Sequence, residues 1–223
     1  MASSHEIPVP QSLALAYAPA VARPVWQAAL ALDSHLATLI AKASEPMLAQ
    51  IRLAWWRDRL SEPRDKWPKG NPILSALSQH WPDGAGTLAP LVDGWEYATV
   101  EPPMSADAVA GYAAGRASMF GAVANALHGD APASGGEQSS IETAGRRWAL
   151  ADLAAHVADA GERDTILAVA EPLGLTPAKL PRTMRPLAVL DGLARRALTK
   201  GGGPLFAGRR AALALLRLGM FGR

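Results

Sequence analysis

The residues of this sequence that could do chemistry are few and widely spaced. Carboxylates three or four residues apart on a helix share one face, where they can hold a divalent cation between them. Asp152 and Asp159 lie in the same region but are seven residues apart, so they do not form an adjacent-turn pair. Asp159, with Glu162 or Arg163 beside it, is typical of a solvated helix end. The spacing of these acids predicts no metal site.

The other reactive side chains give no catalytic pattern. His35 and His156 fall on separate predicted helices and could bind a metal as a pair, but we expect ordinary packed or surface histidines. The chain has no cysteine, which excludes thiol catalysis. No glycine-rich loop leads into Lys-Ser or Lys-Thr, and no Ser–His–acid grouping is suggested by local sequence. Gly201–Gly203 is typical of a hinge.

The elements that must position any site are helices. Apolar residues make up 49% of the 223 residues, which is enough for a sizeable core. Alanine is abundant, valine and isoleucine are sparse, and no segment alternates apolar and polar residues as a strand does. Prolines and glycines divide the chain into about nine helices with short connections. The sequence therefore predicts one all-α domain over residues 1–223.

Several helix boundaries are marked by capping residues. Asn71 and Pro72 predict the start of one helix, and Ser105 predicts the start of a long one that ends near His128. Residues 130–138 combine proline and glycine and predict a disordered loop. We expect the following helix to begin at Ser140 or Glu142.

The most distinctive stretch, residues 47–60, predicts a helix that starts at Pro46. Four apolar residues recur at three- and four-residue steps and predict its buried stripe: Met47, Leu48, Ile51 and Trp55. On the adjoining stripe, Trp56 can lie between Arg52 and Arg59, a cation–π arrangement worth about 0.5–1 kcal/mol for each exposed guanidinium. For both tryptophans, we favour the plainer interpretation of large core aromatics.

This stretch also carries a family resemblance. Ile51-Arg-Leu-Ala-Trp-Trp-Arg-Asp-Arg-Leu60, preceded by Ser44-Glu-Pro46, resembles the signature of the squalene/phytoene synthase family. The residues of the signature helix are Arg52, Trp55, Trp56, Arg57 and Asp58. More specifically, the stretch is similar to that of divergent bacterial members and of the related mitochondrial complex I assembly factor. The resemblance implies an isoprenoid-synthase-like helical bundle around a central cavity.

The resemblance also implies where a catalytic site would lie. Catalytic members of the family condense two prenyl diphosphates, with magnesium bridging the diphosphates to aspartates on two facing helices. The first set of acids would fall on Ala37, Thr38 and Ala41, and none of these is a carboxylate. The second set would fall near His156 and Ala160.

Two acids near these positions are the candidates for a reduced catalytic site, namely Asp33 and Asp152. On the plainer interpretation, which we favour, Asp33 is a helix cap or surface acid. Asp152 would then be a helix-face charge paired with Arg146 or Arg147. We therefore expect no metal and no cofactor, with magnesium required only if the protein is an active enzyme.

The end of the chain is basic and apolar. No acid follows Asp191, and a final helix is predicted over residues 204–220 with Arg209, Arg210 and Arg217 among leucines. Such a helix can lie on an anionic membrane or a protein partner, with about 1 kcal/mol of attraction per basic residue. An ordinary final helix, buried on one face, is the interpretation we favour. A net charge of +2 is too small to favour nucleic-acid binding.

These observations lead to three hypotheses. We expect a non-catalytic relative of the squalene/phytoene synthases that binds a lipid, a prenyl ligand or a partner protein, with assembly of a respiratory complex as one candidate role. The rival hypothesis is an active prenyl transferase with a rebuilt diphosphate site, and the third is a helical interaction module without a ligand. No signal core and no membrane-spanning run stand out, so we expect a cytoplasmic protein that can contact the inner membrane peripherally.

Overall fold

The computed structural model describes residues 7–81, 85–128 and 134–205. Over these ranges the chain forms α-helices joined by short 3₁₀ turns and loops, with no β-strand, and the all-α prediction is confirmed. The helices are α1 (Val9–Leu15), α2 (Arg23–Ala41), α3 (Pro46–Ser61), α4 (Pro72–His80), α5 (Ala89–Glu96), α6 (Ala106–His128), α7 (Gly135–His156), α8 (Ala160–Ala170) and α9 (Arg185–Leu198).

The core is built around the two longest helices, α6 and α7, which pack against each other. Helices α5 and α2 contact α6, while α9 and α8 contact α7. Trp26, Phe120 and Trp148 are fully buried between these helices. The ring centroid of Phe120 lies 5.8 Å from that of Trp26 and 5.3 Å from that of Trp148. Tilted and edge-on ring pairs of this kind add about 0.5–1.5 kcal/mol each beyond their buried area.

The helix boundaries follow local capping chemistry, with one correction. The side chain of Asn71 accepts hydrogen bonds from the backbone N–H groups of Ile73 and Leu74, so the predicted start of α4 is confirmed. Helix α7 begins at Gly135 rather than at the predicted Ser140 or Glu142. The reason is Ser134, whose hydroxyl accepts a hydrogen bond from the backbone of Glu137 and caps the helix.

The predicted buried stripe of α3 is wrong, although its predicted position in the chain is confirmed. The four apolar residues of that stripe are exposed, at 68% for Met47, 40% for Leu48, 59% for Ile51 and 40% for Trp55. The buried residues are those of the neighbouring stripe, which recur at the same spacing: Ala49, Leu53, Trp56 and Leu60.

Long-range contacts decide which stripe of α3 is buried. Trp56 points inward, and its ring lies 5.0 Å from that of His35 on α2. With α3 in this rotation, Arg57 donates hydrogen bonds to Asp93, at 2.6 Å, and to Glu96, both on α5. The cation–π contact falls on Trp55 instead, with the guanidinium of Arg59 5.9 Å from the centre of its ring.

No helix in the described part of the chain is both long and apolar enough to cross a bilayer. The predicted final helix over residues 204–220 lies outside the described residues from residue 206 onward. Its candidate contact residues Arg209, Arg210 and Arg217 therefore stay predictions.

Candidate functional site

Helices α1, α2, α5, α6 and α7 contribute residues to a cavity of about 840 Å³. This volume lies within the range of about 300–1,000 Å³ that is usual for small-molecule sites. Much of its wall is apolar, with Val9, Ile40, Ala98, Leu153 and Leu205 among the lining residues. Its charged residues cluster around one arginine of α6.

This cluster, which we call the Arg116 cluster, consists of Asp33, Tyr112, Arg116 and Asp152. Arg116 binds Asp33 in a bidentate manner, with its Nη2 2.7 Å from Oδ2 and its Nε 3.1 Å from Oδ1. Its Nη1 donates to Asp152 Oδ2 at 2.7 Å and to the Tyr112 hydroxyl at 2.8 Å. Arg116 therefore joins the acids of two helices, α2 and α7, into one buried ionic network.

Aromatic rings hold the guanidinium on its other sides. The carbon at the centre of the Arg116 guanidinium lies 4.6 Å from the ring centre of Trp95 and 4.1 Å from that of Trp148. Trp95 also donates a hydrogen bond from its indole nitrogen to Asp33 Oδ1, at 2.8 Å. The cation is thus held by carboxylates at its edge and by indole faces, which favour a positive charge.

The environment keeps Arg116 charged and Tyr112 neutral. Burial by itself lowers the pKa of Arg116, but the charges of Asp33 and Asp152 more than offset this, and its pKa lies well above the ordinary value. Burial is also the main reason why the pKa of Tyr112 is raised well above its ordinary value of 10.0. Two carboxylates around one guanidinium leave this part of the cavity with a formal charge of −1.

Sequence reasoning identified Asp33 and Asp152 but missed the residue that joins them. The interpretation of Asp33 as a cap or surface acid is wrong, because it is only 1% exposed and pairs with Arg116. A signal for Arg116 was present, since it is the sole charged residue between 108 and 127. A lone charge in an apolar helix must find a buried partner, because an unpaired buried charge is very costly.

The expected pairing of Asp152 with Arg146 or Arg147 is also wrong. Arg146 binds Glu142 on its own helix, 2.7 Å away. Arg147 is buried and binds Asp191 of α9, with 2.7 Å between Nε and Oδ1. Asp159, placed at a solvated helix end, caps α8 by accepting a hydrogen bond from the backbone of Glu162 at 2.7 Å.

Four of the five positions that the family resemblance assigned to metal-binding acids line this cavity: Ala37, Thr38 and Ala41 on α2, and His156 on α7. The fifth, Ala160 at the start of α8, is not among the lining residues. The hydroxyl of Thr38 donates to the backbone oxygen of Ser34, at 2.8 Å. The expected geometry is present, but the expected oxygen ligands are not among these side chains.

The donor set does not fit a magnesium-diphosphate site. Magnesium requires near-octahedral coordination by oxygen, usually with at least one or two free carboxylates. Both oxygens of Asp33 and one oxygen of Asp152 already accept hydrogen bonds from Arg116. Among the described residues, no group of three or more His, Cys, Asp or Glu side chains is placed to hold a metal ion.

The two histidines considered as a metal pair have different surroundings. The ring of His156 is mostly exposed, and its Nδ1 is 2.7 Å from the backbone oxygen of Asp152. His35 packs against Trp56 of α3 and is not among the residues that line the cavity.

Comparison with known families identifies the class of protein. The model of the squalene/phytoene synthase family matches residues 11–176, which is most of the chain and includes part of α1 and all of α2 to α8. The chain belongs to the squalene/phytoene synthase family. Comparisons with curated proteins and with solved structures gave no match.

Proposed function

We propose that this chain is a non-catalytic member of its family, and that its cavity binds a lipid-like molecule. The observation that carries the proposal is the Arg116 cluster. A permanently charged guanidinium takes up the acids Asp33 and Asp152, and the positions where the family resemblance implies further acids are Ala37, Thr38 and Ala41.

Electrostatics supports this assignment. A prenyl diphosphate brings several negative charges, while the Arg116 cluster has a formal charge of −1. Two like charges about 4 Å apart repel each other by about 4 kcal/mol at the effective dielectric of a protein surface. Without several acids to hold the magnesium ions that would offset this repulsion, the cavity disfavours a diphosphate. Its apolar walls still suit the hydrocarbon part of such a molecule.

The resemblance to the complex I assembly factor branch suggests a role for such a binding protein. On this proposal the bundle acts in the assembly of a respiratory complex, by contacting a partner protein or the inner membrane from the cytoplasmic side. The basic residues Arg209, Arg210 and Arg217 are the candidates for that contact. The proposal requires no cofactor.

An activity assay is the first test. Purified protein is incubated with magnesium and farnesyl or geranylgeranyl diphosphate, and both pyrophosphate and the organic extract are measured. We expect no pyrophosphate and no condensed prenyl product. If a condensed product forms, the Asp33→Asn and Asp152→Asn variants decide whether a rebuilt site makes it: loss of product in both would establish the active prenyl transferase and refute our proposal.

Native mass spectrometry is the second test. We expect the protein to retain a bound lipid, and an Ala37→Phe variant to lose it because the new ring fills the cavity from α2. Gln27→Phe is the matched control, since Gln27 is exposed on the same helix and does not line the cavity. A wild-type spectrum without lipid, together with no binding of added lipids, would favour the interaction module that has no ligand.

A further inference from the structure

The cavity contains two buried polar atoms that have no hydrogen-bond partner among the described residues. They are Oε1 of Gln11, on α1, and Oγ of Ser34, on α2. Both residues line the cavity, and they are only 4% and 6% exposed. A buried polar atom without a partner is energetically costly, so these two atoms indicate where a ligand supplies the missing hydrogen bonds.

The chemistry of these atoms restricts the polar group of the ligand. The amide oxygen of Gln11 can only accept a hydrogen bond, so the ligand must donate one there. The hydroxyl of Ser34 can accept one hydrogen bond and donate another, and its hydrogen needs an acceptor. One group that both donates and accepts, at the end of an apolar chain, satisfies both residues.

The Arg116 cluster excludes the charged alternatives. Four of the five N–H donors of Arg116 are engaged with Asp33, Asp152 and Tyr112. An anionic head group would meet the formal charge of −1 and the acceptor oxygen of Gln11. An ammonium group would suit that charge, but it has no lone pair for the hydroxyl of Ser34.

We propose that the cavity selects a neutral lipid alcohol, with its hydroxyl between Gln11 and Ser34 and its hydrocarbon chain along the apolar wall. This inference rests on the proposed lipid-binding function and names the chemical class of the ligand. The hydroxyl donates to Oε1 of Gln11 and accepts from Oγ of Ser34. Both unpartnered atoms are thereby satisfied without any new charge in the cavity.

The test compares four ligands with the same prenyl chain, namely farnesol, farnesyl diphosphate, farnesylamine and the hydrocarbon farnesene. Their dissociation constants are measured by titration of the full chain without metal. We expect farnesol to bind at least about tenfold more tightly than each of the others, because one net hydrogen bond of about 1.4 kcal/mol corresponds to a factor of ten.

Two variants locate the hydroxyl. Gln11→Met and Ser34→Ala should each weaken farnesol binding about tenfold and leave farnesene binding unchanged. Ser12→Ala is the matched control: it removes a hydroxyl from the same helix as Gln11, but Ser12 is exposed, donates to the backbone of Ile7 and does not line the cavity. That variant should bind farnesol as the wild type does. The two test variants are independent, so one suffices if the other does not fold.

The possible outcomes separate this inference from the proposed function. Equal affinity for farnesol and farnesene, or tighter binding of the amine or the diphosphate, would overturn the alcohol assignment and leave lipid binding intact. Unchanged farnesol affinity in both test variants would also overturn the alcohol assignment and leave lipid binding intact. If none of the four ligands binds, the proposed function fails and the assignment fails with it.

Discussion

Gly94 of α5 and Gly115 of α6 meet backbone to backbone. A Cβ atom added to Gly115 would lie 2.3 Å from the Cα of Gly94, and one added to Gly94 would lie 2.7 Å from the Cα of Gly115. The residues that follow them, Trp95 and Arg116, are in cation–π contact. The close approach of these two glycines therefore brings the indole and the guanidinium of the cavity together.

Adding a methyl group at this crossing should disrupt the site. Because backbone atoms cannot move aside as a flexible side chain can, we expect Gly115→Ala to lower the free energy of unfolding by about 1–3 kcal/mol. Denaturant unfolding measures this loss, and near-ultraviolet circular dichroism should show a changed environment for the tryptophans.

Gly121→Ala is the matched control on the same helix. There, a Cβ atom would meet only the amide end of Gln138, 2.9 Å away, which can move. The variant should be neutral, or more stable by up to about 1 kcal/mol because alanine favours helix more than glycine does. Equal destabilisation by the two substitutions would contradict the close approach of α5 and α6.

The buried ion pair gives a second prediction. Arg116→Met removes the guanidinium and leaves Asp33 and Asp152 without it, so we expect the free energy of unfolding to fall by about 3–5 kcal/mol. Adding Asp33→Asn to this variant removes one of the uncompensated charges and should restore part of the loss. Urea denaturation of the single and double variants measures this coupling.

Arg57→Met is the control for a less buried pair. Arg57 binds Asp93 and Glu96 at the surface between α3 and α5, where water screens the charges. We expect a change of at most about 1 kcal/mol. If Arg57→Met lowered the free energy of unfolding as much as Arg116→Met does, burial of the Arg116 cluster would not explain its contribution to stability.

The raised pKa of Tyr112 leads us to expect a loss of stability at high pH. Its pKa in the folded protein is raised, chiefly by burial, above the ordinary value of 10.0 that applies to the unfolded chain. The folded state therefore holds this proton more tightly. Its contribution to stability is complete below pH 10.0 and is lost as the pH rises toward the folded pKa.

Comparison of the wild type with Tyr112→Phe isolates this effect. The wild type should lose stability above pH 10.0 more steeply than the variant. The difference in ultraviolet absorbance between the two proteins should show that Tyr112 ionises only together with unfolding. Ionisation of Tyr112 in the folded protein near pH 10.0 would contradict its burial in the cluster.

Local signals in the sequence were sufficient for the class of fold and for most helix ends. The cap at Asn71 and the prolines at helix starts act within a few residues, so their effects can be predicted from neighbouring sequence. The same reasoning failed at the start of α7, where the glycines at 135 and 136 suggested a loop. The hydroxyl of Ser134 caps a helix that includes both of them.

The site could be predicted only in part, because its decisive contacts join distant parts of the chain. Positions 37, 38 and 41 were placed by resemblance, and they do line the cavity. The Arg116 cluster joins residues 33, 116 and 152, and no local pattern encodes such a set of partners. Only the isolation of Arg116 in an apolar helix could have indicated a buried ion pair.

The rotation of α3 gives the last prediction. Two stripes of this helix carry apolar residues at helical spacing, so periodicity alone could not decide which is buried. Leu53 is fully buried, whereas Ile51 is 59% exposed. We expect Leu53→Ala to lower the free energy of unfolding by about 2–5 kcal/mol, and Ile51→Ala to change it by no more than about 0.5 kcal/mol. Thermal and urea denaturation of the two variants measure the difference, and the reverse order would mean that the stripe predicted from the sequence, with Met47 and Trp55, faces the core after all.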